Sequence, residues 1–166
     1  MYADEMDAVS TVALLIDDLS SEDPNAKLHS IQRLGQIASL LGAERVSDEL
    51  VPMLTELIDK IDCNPELMMH LAEQFGLLST MLKEQSVCLL QPLEMIVGSD
   101  DSIVREKATT ALKKVSAELT GDVVNSRYMD LCKRLKKGDI FSMRIAASQL
   151  YADIYPRLDD DKQQNA

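Results

Sequence analysis

Two adjacent aspartates, Asp100 and Asp101, are the residues in this sequence that most resemble a catalytic pair. Paired carboxylates can act as general acid and general base when their environments separate their pKa values. Here they directly precede an amphipathic stretch that runs to Leu119, with Ala108 and Leu112 on its apolar face. Acidic residues at a helix start accept hydrogen bonds from the first N–H groups and interact favourably with the helix dipole. We therefore interpret the two aspartates as helix caps.

The histidines and cysteines form no recognisable metal or nucleophile motif. His29 and His70 each stand alone, without a His or Glu at the spacing that a helical metal site requires. The cysteines, Cys63, Cys88 and Cys132, are three in number and include no CxxC pair, so we expect them to be reduced and mostly packed. No Ser-His-Asp set, Cys-His pair or Gly-rich phosphate loop is visible. The sequence therefore predicts a protein that is not an enzyme, with no catalytic residue, cofactor or metal.

The composition indicates a helical domain with an acidic surface. The chain has 166 residues, 46% of them apolar and only 4% aromatic, with few glycines and prolines. Its formal net charge of −11 repels nucleic acid and anionic membranes and favours partners with basic faces. The N-terminus lacks the pattern of a signal peptide, and no apolar run reaches the roughly 18 residues that span a bilayer. We expect no nucleic-acid or membrane partner and a cytoplasmic protein, with the nucleus as a further compartment.

Four pairs of amphipathic helices are predicted along the chain. The second helices of the first two pairs begin with the same signal, an N-cap residue followed by proline, in Asp23-Pro24 and Asn64-Pro65. Pro52 and Pro92 lie inside the first helices of the second and third pairs, where each should bend its helix. The predicted repeats cover residues 7–42, 47–82, 85–119 and 122–158 of a single domain, 1–166, with a polar tail at 159–166.

A small residue recurs in every second helix and sets the repeat length. Aligning Ser30, Ala72, Ala108 and Ala147 gives spacings of 42, 36 and 39 residues. A period near 40 with two helices per unit is typical of HEAT repeats, and such units must stack because none buries its apolar face alone. The predicted fold is all-α, an open right-handed α-solenoid of about four HEAT repeats. We expect the first helices in an outer layer, the second helices in an inner layer, and the acidic turns within the pairs along one ridge.

Several short strings, in their order and spacing, carry a resemblance to a known family. They are Ala13 to Leu19 (ALLIDDL), Leu71 to Gly76 (LAEQFG), Pro92 to Glu94 (PLE), Val104 to Ala108 (VREKA), Lys133 to Leu135 (KRL) with Gly138-Asp139, and Tyr155 to Arg157 (YPR). Together they resemble the first four HEAT repeats of the scaffold (A, 65 kDa) subunits of type 2A protein phosphatases. The similar region runs from about residue 8 to residue 158.

The resemblance implies a non-catalytic scaffold that binds interchangeable regulatory (B-type) subunits through the turns within its N-terminal repeats. The partner-binding positions that it implies on this chain are Glu22, Asp23, Asp62, Asn64, Glu66, Asp100, Asp101, Asp139 and Ile140. Arg105 and Arg144, four or five residues after the acidic residues of their turns, are further candidates. They form either a local acid-base ladder or a row of partner contacts.

This chain departs from the family in two respects. The family commonly has Trp where Ile140 stands, and the second turn is less acidic than in the family. The family also has more repeats, and its catalytic subunit docks on the C-terminal ones, so that partner is expected only for a longer chain. An open end of the array should expose Leu150, Ile154 and Leu158 and lead to self-association.

Two alternatives remain from the sequence. One is a free-standing HEAT module that binds a partner unrelated to phosphatases. The other is a HEAT-like enzyme or nucleic-acid binder, which would need a polar pocket or a basic groove on the inner layer.

Overall fold

A computed structural model describes residues 2–61 and 64–160 of the chain. These residues form helices joined by short turns, and they include no β-strand. The α-helices are α1 (Tyr2–Ser20), α2 (Pro24–Gln32), α3 (Leu34–Leu41), α4 (Ala43–Arg45), α5 (Val51–Ile61), α6 (Pro65–Leu82), α7 (Leu90–Val97), α8 (Ser102–Glu118), α9 (Gly121–Val123), α10 (Met129–Lys136) and α11 (Phe141–Ile154).

These helices group into four antiparallel pairs within the described residues. The first pair is α1 with α2 and α3, which are separated only at Arg33, a residue that departs from helical geometry (φ −102°, ψ 9°). The sequence predicted one continuous helix there. The second pair is α4 and α5 with α6, the third is α7 with α8, and the fourth is α9 and α10 with α11. We call the connections within the pairs the first to fourth turns, at residues 21–23, 62–64, 98–101 and 137–140.

The start signals of the second helices are confirmed. Asp23 accepts a hydrogen bond from the backbone N–H of Asn25 (2.9 Å), and Pro24 occupies the first helical position. Asn64 is likewise the N-cap of α6, and Pro65 occupies the first position of that helix. Because the proline has no N–H to leave unsatisfied at that position, the cap and the proline stabilise the same helix start.

The first helices of the last three pairs begin irregularly. A π-helical turn, Val46–Leu50, links α4 to α5 just before Pro52, and a 3-10 turn, Lys83–Leu89, precedes α7 and Pro92. Removal of an N–H by proline accounts for a local change of hydrogen-bond pattern in these two helices. The π-helical turn Val124–Tyr128 between α9 and α10 has no proline, so the irregularity is not caused by proline alone.

The pairs stack into two layers. In one layer α5 contacts α7, and α7 contacts α10; in the other α6 lies against α2 and α3, α8 against α6, and α11 against α8. The aligned small residues of the second helices, Ser30, Ala72, Ala108 and Ala147, are all fully buried. At Gly76 an added Cβ would lie 3.3 Å from the Cα of Ala111, so the glycine permits the close contact between α6 and α8. The fold is therefore the predicted all-α solenoid of HEAT-type pairs.

The expectation of an apolar end surface is wrong for the residues that were named. Leu150 and Ile154 are fully buried and Leu158 is 5% exposed. A 3-10 turn, Tyr155–Arg157, follows α11 and directs Leu158 inward, while Arg157 donates hydrogen bonds to the end of α8. These side chains offer no surface for self-association. The predicted polar tail extends into residues 161–166, which lie outside the described part of the chain.

None of the helices in residues 2–61 and 64–160 combines the length and the apolar character needed to cross a bilayer. The limits of the repeats proposed from the sequence, and their assignment to a single domain, stay a prediction.

Candidate protein-binding surface

The third turn shows how the sequence builds one of the predicted contact points. Asp101 is the N-cap of α8, and its Oδ1 accepts hydrogen bonds from the N–H groups of Ile103 (2.8 Å) and Val104 (3.1 Å). The hydroxyl of Ser99 in turn accepts a hydrogen bond from the N–H of Asp101 (3.3 Å). The side chain of Asp101 is therefore engaged in starting the helix, whereas that of Asp100 is exposed to solvent.

Two arginines hold their own turns closed. Arg105 donates from Nη1 to the carbonyl oxygens of Ser99 and Asp100, at 2.7 Å each. In the same way, Arg144 donates from Nη1 to the carbonyl oxygens of Gly138 (2.9 Å) and Asp139 (3.0 Å). Charged donors of this kind fix the path of a turn whose carbonyls have no helical partner. The hydrogen bonds of these guanidinium groups thus go to the backbone of the turn, rather than to its carboxylates.

The first turn and the described part of the second turn repeat the capping but have no matching arginine. Glu22 and Asp23 are exposed, and the N–H of Asp23 donates to the hydroxyl of Ser21 (3.1 Å). Asn64, half-buried, accepts a hydrogen bond from the N–H two residues beyond Pro65 (3.2 Å), and Glu66 is exposed. The predicted site residue Asp62, together with Cys63, lies outside the described residues.

Two surface depressions lie between neighbouring helix pairs. Pro65 of the second pair and residues 98–101 of the third turn line one shallow depression. A second, between the N-terminal halves of α8 and α11, is lined by Ser102 and Arg105 on one side and by Ser142 and Ile145 on the other. The structure therefore places the start of α6 beside the third turn, and the first halves of α8 and α11 beside each other.

An ion-pair cluster links the second and third pairs on the layer formed by the second helices. Lys107 Nζ lies 2.5 Å from Glu73 Oε1, and His70 Nδ1 lies 3.5 Å from Glu73 Oε2. The hydrogen bond from Lys107 holds the pKa of the Glu73 carboxyl below its usual value, and the nearby charges of Lys107, His70 and Lys114 act in the same direction. Among the described residues no group of three or more His, Cys, Asp and Glu side chains is arranged to hold a metal ion.

Three exposed apolar side chains lie at the end of the fourth turn and the start of α11, and only Ile140 among them was a predicted partner-binding position. Phe141 is 68% exposed and Ile140 is 43% exposed, and Ile145 lies exposed one turn further along α11. Their position immediately after Gly138-Asp139, outside the apolar stripe of α11, was the available signal. Exposed apolar residues grouped at a turn are a common feature of protein-binding surfaces.

Stacked helix pairs with ordered, solvent-facing turns along one edge define this protein as a HEAT-repeat solenoid. Proteins of this class present extended surfaces to partners.

Several known proteins to which this chain is similar are named as regulatory or scaffold subunits of protein phosphatase 2A. The beta isoform of the 65 kDa regulatory subunit of rat protein phosphatase 2A is 38% identical over 153 residues, which are 91% of this chain and 25% of that protein. The protein phosphatase 2A scaffold subunit of Dictyostelium discoideum is 35% identical over 155 residues, 92% of this chain and 26% of that protein. The 65 kDa regulatory subunit of protein phosphatase 2A from Drosophila melanogaster is 36% identical over 154 residues, which are 92% of this chain and 26% of that protein. No protein-family model matches the chain.

The chain is therefore a homologue of the 65 kDa regulatory, or scaffold, subunits of protein phosphatase 2A, which confirms the resemblance read from the sequence. It spans about a quarter of the length of these relatives.

Proposed function

We propose that this chain is a non-catalytic scaffold that binds regulatory (B-type) subunits of a type 2A protein phosphatase through the edge formed by its turns. The observation that carries the proposal is the similarity to phosphatase scaffold subunits over nine-tenths of the chain. The ordered turns support it, because a pre-formed surface loses less conformational entropy on binding than a mobile one. The catalytic subunit is a partner in this proposal only where these helix pairs belong to a longer scaffold. We assign the assembly to the cytoplasm, with the nucleus as a second compartment.

The role of each acidic residue in the proposal follows from its contacts. Glu22 and Asp100 are exposed and belong to turns whose helix starts are capped by the next residue, so their carboxylates are available to basic groups of a partner. Asp23 and Asp101 are the caps themselves, so replacing them changes helix stability as well as charge. A test that reverses both aspartates of the third turn would therefore mix two effects.

The experiment separates charge from capping at the third turn. Purified B-type regulatory subunits are titrated onto the immobilised chain and onto its Asp100→Lys, Asp101→Asn and Asp101→Ala variants. Asn retains the capping oxygen and removes the charge, whereas Ala removes both. We expect Asp100→Lys to weaken binding about tenfold or more, Asp101→Asn to weaken it less, and Asp101→Ala alone to lower thermal stability, by about 1 kcal/mol.

A matched control is available at Glu84, an exposed carboxylate just beyond the far end of α6. Because α6 has 18 residues, Glu84 lies roughly 27 Å from the turns, and Glu84→Lys makes the same charge change there. We expect this variant to bind like the wild type. The proposal fails if the wild-type chain binds none of the B-type subunits, or if Asp100→Lys and Glu84→Lys bind equally well.

A further inference from the structure

The fourth turn carries a surface that differs in charge from the other turns. It combines two lysines at the end of α10, the exposed apolar residues at the start of α11, and an arginine one turn into α11. We call it the fourth-turn patch, and it consists of Lys136, Lys137, Ile140, Phe141 and Arg144. All five residues are exposed.

The charge of this patch is opposite to that of the protein as a whole. Residues 136–144 include three cationic side chains and one carboxylate, that of Asp139. Residues 98–105, which form the third turn, include two carboxylates and one cation. On a chain with a net charge of −11, exposed charges further away than a Debye length of about 8 Å are largely screened at physiological salt. A partner at the fourth turn therefore meets a locally positive surface.

The patch is held in place before any partner binds. The Arg144 guanidinium donates to two carbonyls of the turn, and its Cζ lies 5.6 Å from the centre of the Phe141 ring. Lys136 Nζ lies 5.6 Å from the centre of the ring of Tyr151, a side chain that is itself buried. The turn is also tight, since a Cβ added at Gly138 would lie 3.1 Å from a carbonyl oxygen of α10. Both cations thus lie over aromatic faces in a turn that has little freedom to rearrange.

We propose that the fourth-turn patch binds an acidic segment of a partner protein that carries an aromatic or large apolar side chain beside its carboxylates. The lysine ammonium groups would donate hydrogen bonds to the carboxylates, and the exposed faces of Ile140 and Phe141 would pack against the apolar side chain. The inference rests on the proposed function, because it gives one turn of the same edge a partner chemistry of its own.

A protein segment fits this surface better than nucleic acid does. The cations are few, and the exposed carboxylate of Asp100 on the third turn would repel a phosphate chain that continued along the edge. The patch also contains two exposed apolar residues, Ile140 and Phe141. A short acidic peptide can place charges at the lysines and an apolar residue between them without extending over the acidic turns.

The test uses a fluorescein-labelled synthetic peptide of Asp and Glu residues around a single Phe, with fluorescence anisotropy as the readout. A peptide with Asn and Gln in place of Asp and Glu is the neutral counterpart. The chain is compared with its Lys136→Glu/Lys137→Glu variant, its Phe141→Ser variant, and a control, Lys60→Glu. Lys60 is an exposed lysine in the last turn of α5, shortly before the second turn, as Lys136 lies shortly before the fourth.

We expect the acidic peptide to bind at least about tenfold more tightly than the neutral one at low salt, and the difference to shrink at about 0.3 M salt. The double lysine reversal should abolish this preference, Phe141→Ser should weaken both peptides about tenfold, and Lys60→Glu should leave both within about twofold of the wild type. Circular dichroism of each variant checks that the fold is retained, as expected for substitutions at exposed positions.

Three results would overturn the inference. They are equal binding of the two peptides, unchanged binding of the acidic peptide by the double reversal, and tighter binding to phosphatidylserine vesicles or to a DNA oligonucleotide than to the peptide. The peptide assay and the regulatory-subunit assay give separate readouts, so a failure of one proposal can be told from a failure of the other. If the chain binds regulatory subunits but not the acidic peptide, this inference fails and the scaffold proposal stands. If it binds the acidic peptide but no regulatory subunit, the scaffold proposal fails and the patch keeps only its peptide chemistry.

Discussion

Arg157 ties the last described turn of the chain to the helix of the preceding pair, and replacing it should measurably destabilise the fourth pair. Its Nη1 donates to the carbonyl oxygen of Ser116 and its Nη2 to that of Leu119, at 2.5 Å each. These carbonyls lie at the C-terminal end of α8, where the final turn of a helix has no intrahelical donors. A cation at this end also interacts favourably with the helix dipole.

The size of the effect follows from the number of bonds and their exposure. A hydrogen bond to a charged group contributes about 1.5–3 kcal/mol when it is well shielded. Because Arg157 is an exposed residue, solvent replaces part of that contribution, and we expect Arg157→Ala to lower the free energy of unfolding by about 2 kcal/mol in total. For a chain of this length that change corresponds to a fall in melting temperature of roughly 4–8 °C.

The assay is thermal and urea unfolding followed by circular dichroism, with amide hydrogen exchange to locate the change. Because solenoid pairs contribute their stabilities separately, exchange should accelerate in α11 more than in α6. Arg127, an exposed arginine in the turn before α10, is the matched control, and Arg127→Ala should change the free energy of unfolding by no more than about 0.5 kcal/mol. If Arg157→Ala is as stable as this control, then the observed hydrogen bonds do not hold the two pairs together.

Three further predictions concern packing, pH and thiol chemistry. Gly76→Val should lower the free energy of unfolding by about 2 kcal/mol in urea titrations, because a side chain there would enter the close contact with Ala111. Glu73→Gln should be less stable than the wild type near neutral pH, and the difference in melting temperature should disappear as the pH falls through the lowered pKa of Glu73. The reason is that Lys107 lowers the folded-state pKa of Glu73 from its ordinary value of 4.5, so the stabilisation exists above that value and is lost as pH falls through the lowered pKa. Cys132 should resist iodoacetamide at pH 8 in the folded chain and react in urea, as followed by peptide mass spectrometry, because burial raises the pKa of its thiol to about 12.

The features that the sequence predicted are those encoded by neighbouring residues and by the repeat period. The cap at Asp23 and the proline after it are one residue apart, and both have the predicted roles in the structure. The alignment of Ser30 with the alanines of the later pairs identified the buried side of each second helix. Such signals are local or periodic, so a single sequence is sufficient to read them.

The features that were missed depend on contacts between residues far apart in the chain. Arg157 bonds to carbonyls 41 and 38 residues before it, and Arg134 pairs with Glu94 across 40 residues, at 2.7 Å. The repeat period identifies which helices stack, but it does not specify which donors reach across the boundary. The same limit explains the wrong expectation for Leu158, which is buried because the turn that contains Arg157 folds back onto α8.

The contacts within the turns also determine which substitutions can change partner binding without changing the stability of the fold. At the third turn, Asp101 caps α8 and Arg105 binds two carbonyls, so changes at either residue act on the turn itself. Asp100 contributes its carbonyl to this arrangement while its carboxylate stays in solvent, so its side chain can be changed without removing a contact that orders the turn. A loss of partner binding in an Asp101 or Arg105 variant is therefore consistent with either a distorted turn or a lost contact. The same loss at Asp100, with unchanged melting temperature, is evidence for a direct contact.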